Sequence, residues 1–108
     1  MANTFKSNVA ANIVTSGNTV YTCPSATQTT LIGLTLSNKS AGTITANVYL
    51  RRSSTDYSVI SNAPLLTGST LVPIGGEQKV VLQAADELKI TTSANGSLDV
   101  IASLLEIA

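Results

Sequence analysis

The chain has no histidine, no tryptophan, one cysteine, one phenylalanine, and only six basic and six acidic side chains in 108 residues. Each shortage removes a class of chemistry. Without histidine there is no imidazole to activate a serine or threonine nucleophile, and no imidazole ligand for zinc. One cysteine excludes an internal disulfide. Cys23 stands at an apolar strand end before Pro24, with no neighbouring base to activate a thiol, and reads as a small buried hydrophobe. There is no Asp-x-Asp-x-Asp loop for calcium. Gly75-Gly76 lacks the Lys and Ser or Thr of a phosphate-cradling loop and runs into Glu77. No metal and no cofactor is expected, and neither is an enzyme or a small-molecule substrate.

Charge is scarce as well as balanced. The formal net charge is +0, which argues against a sequence-independent grip on nucleic acid or on an anionic membrane. The charged fraction is 11%, against roughly 25% in ordinary soluble domains. No apolar run approaches the roughly 20 residues that a membrane-crossing helix needs. The start, Met1 to Ala11, carries a single Lys6 and no hydrophobic block, so a signal peptide is not expected. Mean hydropathy is nevertheless +0.29. A domain this small buries proportionally less of its surface, so part of its apolar area should be covered by partners.

What is present is strand and turn. Thr30 to Asn38, Thr43 to Arg51 and Glu87 to Thr92 alternate apolar and polar residues. The clearest is the middle run, where Ile44, Ala46, Val48 and Leu50 share one face against Thr45, Asn47, Tyr49 and Arg51. Ile32, Leu34 and Leu36 should likewise share the inner face of their strand. Gly17-Asn18, Ala41-Gly42, Gly75-Gly76 and Asn95-Gly96 all suit the positive φ of hairpin turns. They predict hairpins joining 12–16 to 19–23 and 71–74 to 79–82. Arg51 to Tyr57 reads as a polar loop, and Pro64 demotes Val59 to Leu66 to an edge strand or extended connection. Residues 1–11 show neither a helix cap nor alternation, and read as an extended N-terminal arm anchored by Phe5 and Val9. The expectation is a single-domain, all-β antiparallel sandwich, jelly-roll-like, of about eight to nine short strands over residues 12–108.

The last strand departs from the pattern. Leu98, Val100, Ala102 and Leu104 make one apolar face, while Ile101, Leu105 and Ile107 make the other apolar too. A strand apolar on both faces is covered on both. In a two-layer sandwich the second cover must come from the arm or from another subunit, since a bare strand of this kind invites aggregation. Phe5, Val9, Ile101, Leu105 and Ile107 are therefore the expected interface residues of an oligomer, a homotrimer or a homodimer.

The remaining polar groups have plainer readings. Asp86-Glu87 with Asp99 or Glu106 are the carboxylates available for acid–base work, but Asp86 suits a turn and Glu87 the solvent side of a strand. Arg51-Arg52 suits a carboxylate on a partner subunit or a solvated loop. Asn38-Lys39-Ser40 and Asn95-Gly96-Ser97 match the glycosylation sequon and read as turns. Tyr49 and Tyr57 would lie near each other if their strands pair, which keeps a glycan-binding adhesion module in view.

Several phrases are similar to small virion proteins of tailed bacteriophages. They are Val20-Tyr21-Thr22-Cys23-Pro24, Thr30-Leu31-Ile32-Gly33-Leu34, Leu36-Ser37-Asn38, Asn62-Ala63-Pro64-Leu65 with Gly68-Ser69, and Lys79-Val80-Val81-Leu82. Ala85-Asp86-Glu87-Leu88-Lys89-Ile90 and the ending from Asp99-Val100 to Leu105-Glu106-Ile107 complete the pattern. The resemblance runs from about Val20 to the C-terminus and leaves the arm outside it. It implies a non-enzymatic virion structural protein, a capsid cement or decoration protein whose partners are itself and a major capsid protein. A neck, baseplate or tail-fibre component of the same particle is the alternative. Members of that family often carry Gly before the turn Asp, where this chain has Ala85.

Overall fold

The computed structural model describes residues 3–74 and 79–107. Among the described residues nine strands run in the order β1 (Asn3–Ala10), β2 (Asn18–Thr22), β3 (Gln28–Asn38), β4 (Ile44–Arg52), β5 (Thr55–Leu65), β6 (Thr70–Ile74), β7 (Val80–Leu82), β8 (Glu87–Thr92) and β9 (Leu98–Ile107). They form two antiparallel sheets. One has the order β1-β9-β3-β6 with β7 also on β3, and the other the order β2-β8-β4-β5. β6 and β7 lie one after the other along the same edge of β3, opposite Leu34–Ser37 and Thr29–Leu31 respectively. Counted as one interrupted strand, they give eight strand positions in the two four-stranded orders of a jelly roll. The sandwich expected from the alternation is the fold observed.

Period-two patterning explains which side chains go inside. Ile44, Ala46 and Val48 of β4 and Leu88 and Ile90 of β8 point inward from one sheet, and Leu98, Val100, Ala102 and Leu104 of β9 from the other. Each fully buried Leu or Ile contributes roughly 1.5–3 kcal/mol, so this core carries most of the favourable free energy. In β3 the inward set is Leu31, Leu34 and Leu36, not Ile32, Leu34 and Leu36. An irregularity in the pairing with β9 between Leu31 and Gly33 explains the difference. The extra residue of a bulge shifts the inward phase by one, and Ile32 is left half-buried.

The connections correct the expected hairpins. Residues 12–16 form no strand, β2 lies in a different sheet from β1 and from β3, and β3 and β4, like β8 and β9, are also in different sheets. Gly17 and Gly96 do take positive φ, but the bends they make carry the chain across the sandwich. β6 and β7 pair with β3 and not with each other; the Gly75-Gly76 turn lies outside the described residues. The true hairpin is β4–β5, inside the segment read as a polar loop. Arg52 faces Thr55, and the two residues between them, Ser53 and Ser54, have φ of 52° and 65°. Two consecutive positive φ values are the signature of a type I′ turn, whose twist matches that of the strands it joins. Arg51 and Asp56 then pair across the ladder at 2.9 Å. β5 is an edge strand, as Pro64 required.

Residues 3–10, read from the sequence as an arm, are extended and pair with β9 along their whole length, from Asn3–Ile107 to Ala10–Val100. Just beyond, Ile13 is fully buried and its backbone bonds Leu98 and Gly96 at 3.0 Å each. Ile13 is thus a plug that fixes the chain where it leaves β1. Asn8 reaches across the layers to the Val20 carbonyl at 3.1 Å, tying the edge of one sheet to the edge of the other.

Candidate functional site

Antiparallel partners directly opposite each other share a sheet face, so the register fixes what the outer side of the five-stranded sheet displays. Phe5 stands opposite Leu105, Leu105 opposite Thr30, and Thr30 opposite Val81. That is one continuous row over β1, β9, β3 and β7. Two residues along, Ser7, Ser103 and Gly33 form a second row of small side chains. Two further along, Val9, Ile101 and Thr35 form a third. Val72 joins it from β6, between the Leu34–Ile74 and Leu36–Leu71 pairs. Two apolar ridges therefore flank a shallow band of small residues.

None of the residues in these three rows is charged. Phe5 is 75% exposed, Val9 71%, Val72 58%, Val81 54% and Ile101 50%. Apolar side chains grouped in this way on one face are the kind of patch that marks interaction surfaces in other proteins. At the rim, Asp99 is bonded by Lys39 at 2.9 Å and by the Asn12 amide at 3.1 Å. The Lys39 ammonium holds that carboxyl below its ordinary range, so the rim carries a neutralised pair and not a bare charge.

All five side chains expected at an interface lie on this face: Phe5, Val9, Ile101, Leu105 and, in the row beyond, Ile107 opposite Asn3. Sequence reasoning missed Val72 and Val81. Val72 sits beside Pro73 in a five-residue strand and Val81 at the centre of a three-residue one, too short for alternation to register. The signal that finds them is pairing to β3, which no local pattern contains.

The inner side of β1 and β9 has a different character. Glu106 turns inward with its side chain only 12% exposed, accepts a hydrogen bond from the Tyr21 hydroxyl at 2.5 Å and lies 3.4 Å from the Lys6 ammonium. Tyr21 also meets Thr29 at 2.8 Å, and the Cys23 thiol lies 3.3 Å from that same Thr29 hydroxyl. Burial, with the Glu106 carboxylate second, pushes the Tyr21 hydroxyl far above the ordinary phenol range. This is a satisfied polar seam that closes one end of the core, and Cys23 is buried in it.

The other polar candidates are each engaged structurally. Asp86 is held by Arg52 through both oxygens, and Arg51 is paired with Asp56, so the arginine pair meets carboxylates of its own chain. Glu87 accepts from the Thr19 hydroxyl at 3.0 Å. Asn38 is buried and its amide bonds the Gly42 and Leu65 carbonyls at 2.9 and 3.0 Å, which makes it the clamp of its turn. The tyrosines do not form a platform. Tyr49 pairs with Ser58 and Leu50 with Tyr57, so successive positions put the two rings on opposite faces of the sheet.

No protein-family model matches the chain, and no curated protein is significantly similar to it. Solved structures are similar at the level of fold. One is from Bacillus endospore appendages, described as a novel family of disulfide-linked pili. It is 11% identical with a TM-score of 0.54, and the match covers 100% of this chain and 91% of that one. Another is from the T13 viral particle of infectious bursal disease virus, 13% identical with a TM-score of 0.52. There the match covers 96% of this chain but 30% of the viral one.

Proposed function

We propose that this chain is a non-enzymatic structural subunit of a virion, a capsid cement or decoration protein that binds the shell through the outer face of its five-stranded sheet. The observation that carries the reading is the uncharged face itself, with Phe5, Val9, Ile101 and Leu105 brought into two ridges by the β1–β9 register. Two further things support it. The sandwich it shares at fold level occurs in subunits of a pilus and of a viral particle, and the phrases from Val20 onward resemble small virion proteins of tailed phages.

The mechanism needs no chemistry. A subunit that binds assembled shell and not dissociated shell protein shifts the equilibrium towards the shell by mass action. Phe5, the most exposed large side chain of the face, is the natural anchor, because aromatic groups filling a pocket at the centre of an interface dominate binding energy. The Thr, Ser and Asn side chains around it supply the hydrogen-bonded rim. Ile107 extends the face at its end.

The test is the copy number of the protein in purified particles, by quantitative mass spectrometry against the major shell protein. A number comparable to the shell protein is expected. A small number matching neck or tail symmetry would move the subunit there, and absence from particles would overturn the virion reading. Ile101→Asp should leave the fold intact, since the side chain points outward, and reduce incorporation at least tenfold. Unchanged incorporation would remove the face from the mechanism.

A further inference from the structure

A sandwich has open edges, and three of the four here are broken in register, which discourages pairing. β5 has Pro64 and two irregularities in its register with β4. The β6–β7 edge has Pro73 and an irregularity. β2 has five residues, broken in register between Thr19 and Tyr21. β1 differs from all of these. It runs eight residues without proline or glycine, and its eight pairs with β9 are consecutive. Its only charge is Lys6.

We propose that β1 pairs antiparallel with β1 of a second copy, about a two-fold axis through Ser7. This rests on the reading above that the chain is an assembling subunit, and it adds the partner and the register. A two-fold axis normal to the sheet keeps each face on its own side, so outward residues must meet outward residues and the axis must pass through a residue. Axes at Phe5 or Asn8 overlap only five residues of each strand; axes at Lys6 or Ser7 overlap seven. The axis at Lys6 sets two like charges directly opposite each other, which destabilises a pair. The axis at Ser7 places Lys6 against the partner's Asn8 and Phe5 against the partner's Val9.

The Phe5–Leu105–Thr30–Val81 row of one copy continues into the Val9 row of the other, and the small-residue row meets itself at Ser7. Both apolar ridges then run unbroken through the dimer. The assembly is a homodimer with a face twice as wide, a better fit to a joint between shell subunits than a single copy.

The experiment uses the full chain. Cys23 is buried, so Ser7→Cys carries the one accessible thiol, and opposed Cβ atoms about 4.5–5.5 Å apart lie close to disulfide range. Mild oxidation should convert most of Ser7→Cys to a covalent dimer. Asn3→Cys should cross-link at least tenfold less, because the axis leaves its two copies roughly 27 Å apart along the strands. The wild-type protein should sediment as a dimer, and its β1 amides should exchange more slowly as concentration rises. A monomeric or trimeric mass, or a dimer in which both cysteine variants cross-link equally, would overturn the pairing while leaving the copy number in particles as the separate test of the virion reading. Should Ser7→Cys not fold, concentration-independent exchange of the wild-type β1 amides would overturn it instead.

Discussion

Arg52, at the end of β4, grips Asp86 in the turn before β8 by both carboxylate oxygens, with Nε 2.9 Å from Oδ1 and an Nη nitrogen 2.5 Å from Oδ2. Asp86 also accepts from the Gln83 amide at 2.8 Å, and its own carbonyl accepts from Cys23 at 2.8 Å. The Arg52 hydrogen bonds hold the Asp86 carboxyl below its usual 3.8. A carboxylate with a lowered pKa stabilises the fold above its unfolded value, and the contribution is lost as pH falls through the folded value. Asp86→Ala should cost about 1–3 kcal/mol at pH 7. The deficit against wild type should be constant above about pH 5 and shrink below it, as read from urea midpoints across pH. A deficit that stays constant into acid would show that the turn, and not the charge, was lost.

Tyr21 and Glu106 make the opposite prediction at the other end of the scale. Burial raises the Tyr21 hydroxyl above its ordinary 10.0, so the folded protein keeps this proton where the unfolded chain releases it. Stability from this group is therefore complete below pH 10 and declines as pH rises beyond it. Tyr21→Phe removes the hydroxyl that Glu106 and Thr29 share and should cost about 1–2 kcal/mol at neutral pH. The gap to wild type should close between about pH 10 and 12, measured by chemical unfolding. A parallel pair of curves would exclude Tyr21 as the titrating group.

The two layers were legible in the sequence wherever one side of a strand meets the core. β8 runs over Glu87–Thr92, the bounds the alternation gives, and β9 over Leu98–Ile107, the apolar run read as the last strand. Which strand lies beside which was not legible, because pairing in a jelly roll joins β1 to β9 and β2 to β8 across most of the chain. Turn chemistry misled for a related reason. Glycine and asparagine mark a bend without saying whether the chain returns in its own sheet or crosses to the other. The β4–β5 turn at Ser53-Ser54 hid for want of the Asn-Gly that such turns favour. On the outer face, Ile101 and Leu105 were visible as surplus apolar residues of β9. Their alignment with Phe5 and Val9 emerges only from the β1–β9 register.

Ala85 tests how far local strain survives in this fold. The turn closes with the Asp86 amide on the Gln83 carbonyl at 2.9 Å, and Ala85, its third residue, has a φ of 72°. That is the type II arrangement, whose third position favours glycine because a Cβ there crowds the backbone. Nothing lets the residue relax, since its amide is bonded to the Cys23 carbonyl at 2.9 Å. An alanine in the left-handed region costs roughly 1–2 kcal/mol, and the extra freedom glycine brings to the unfolded chain returns part of that, about 0.5–1 kcal/mol. Ala85→Gly should therefore stabilise by about 0.5–1 kcal/mol and raise the melting temperature by roughly 2–6 °C. Ala102→Gly, in the middle of β9 where φ is that of a strand, should move it the other way. If both variants lose stability alike, entropy of the unfolded chain outweighs the strain at Ala85.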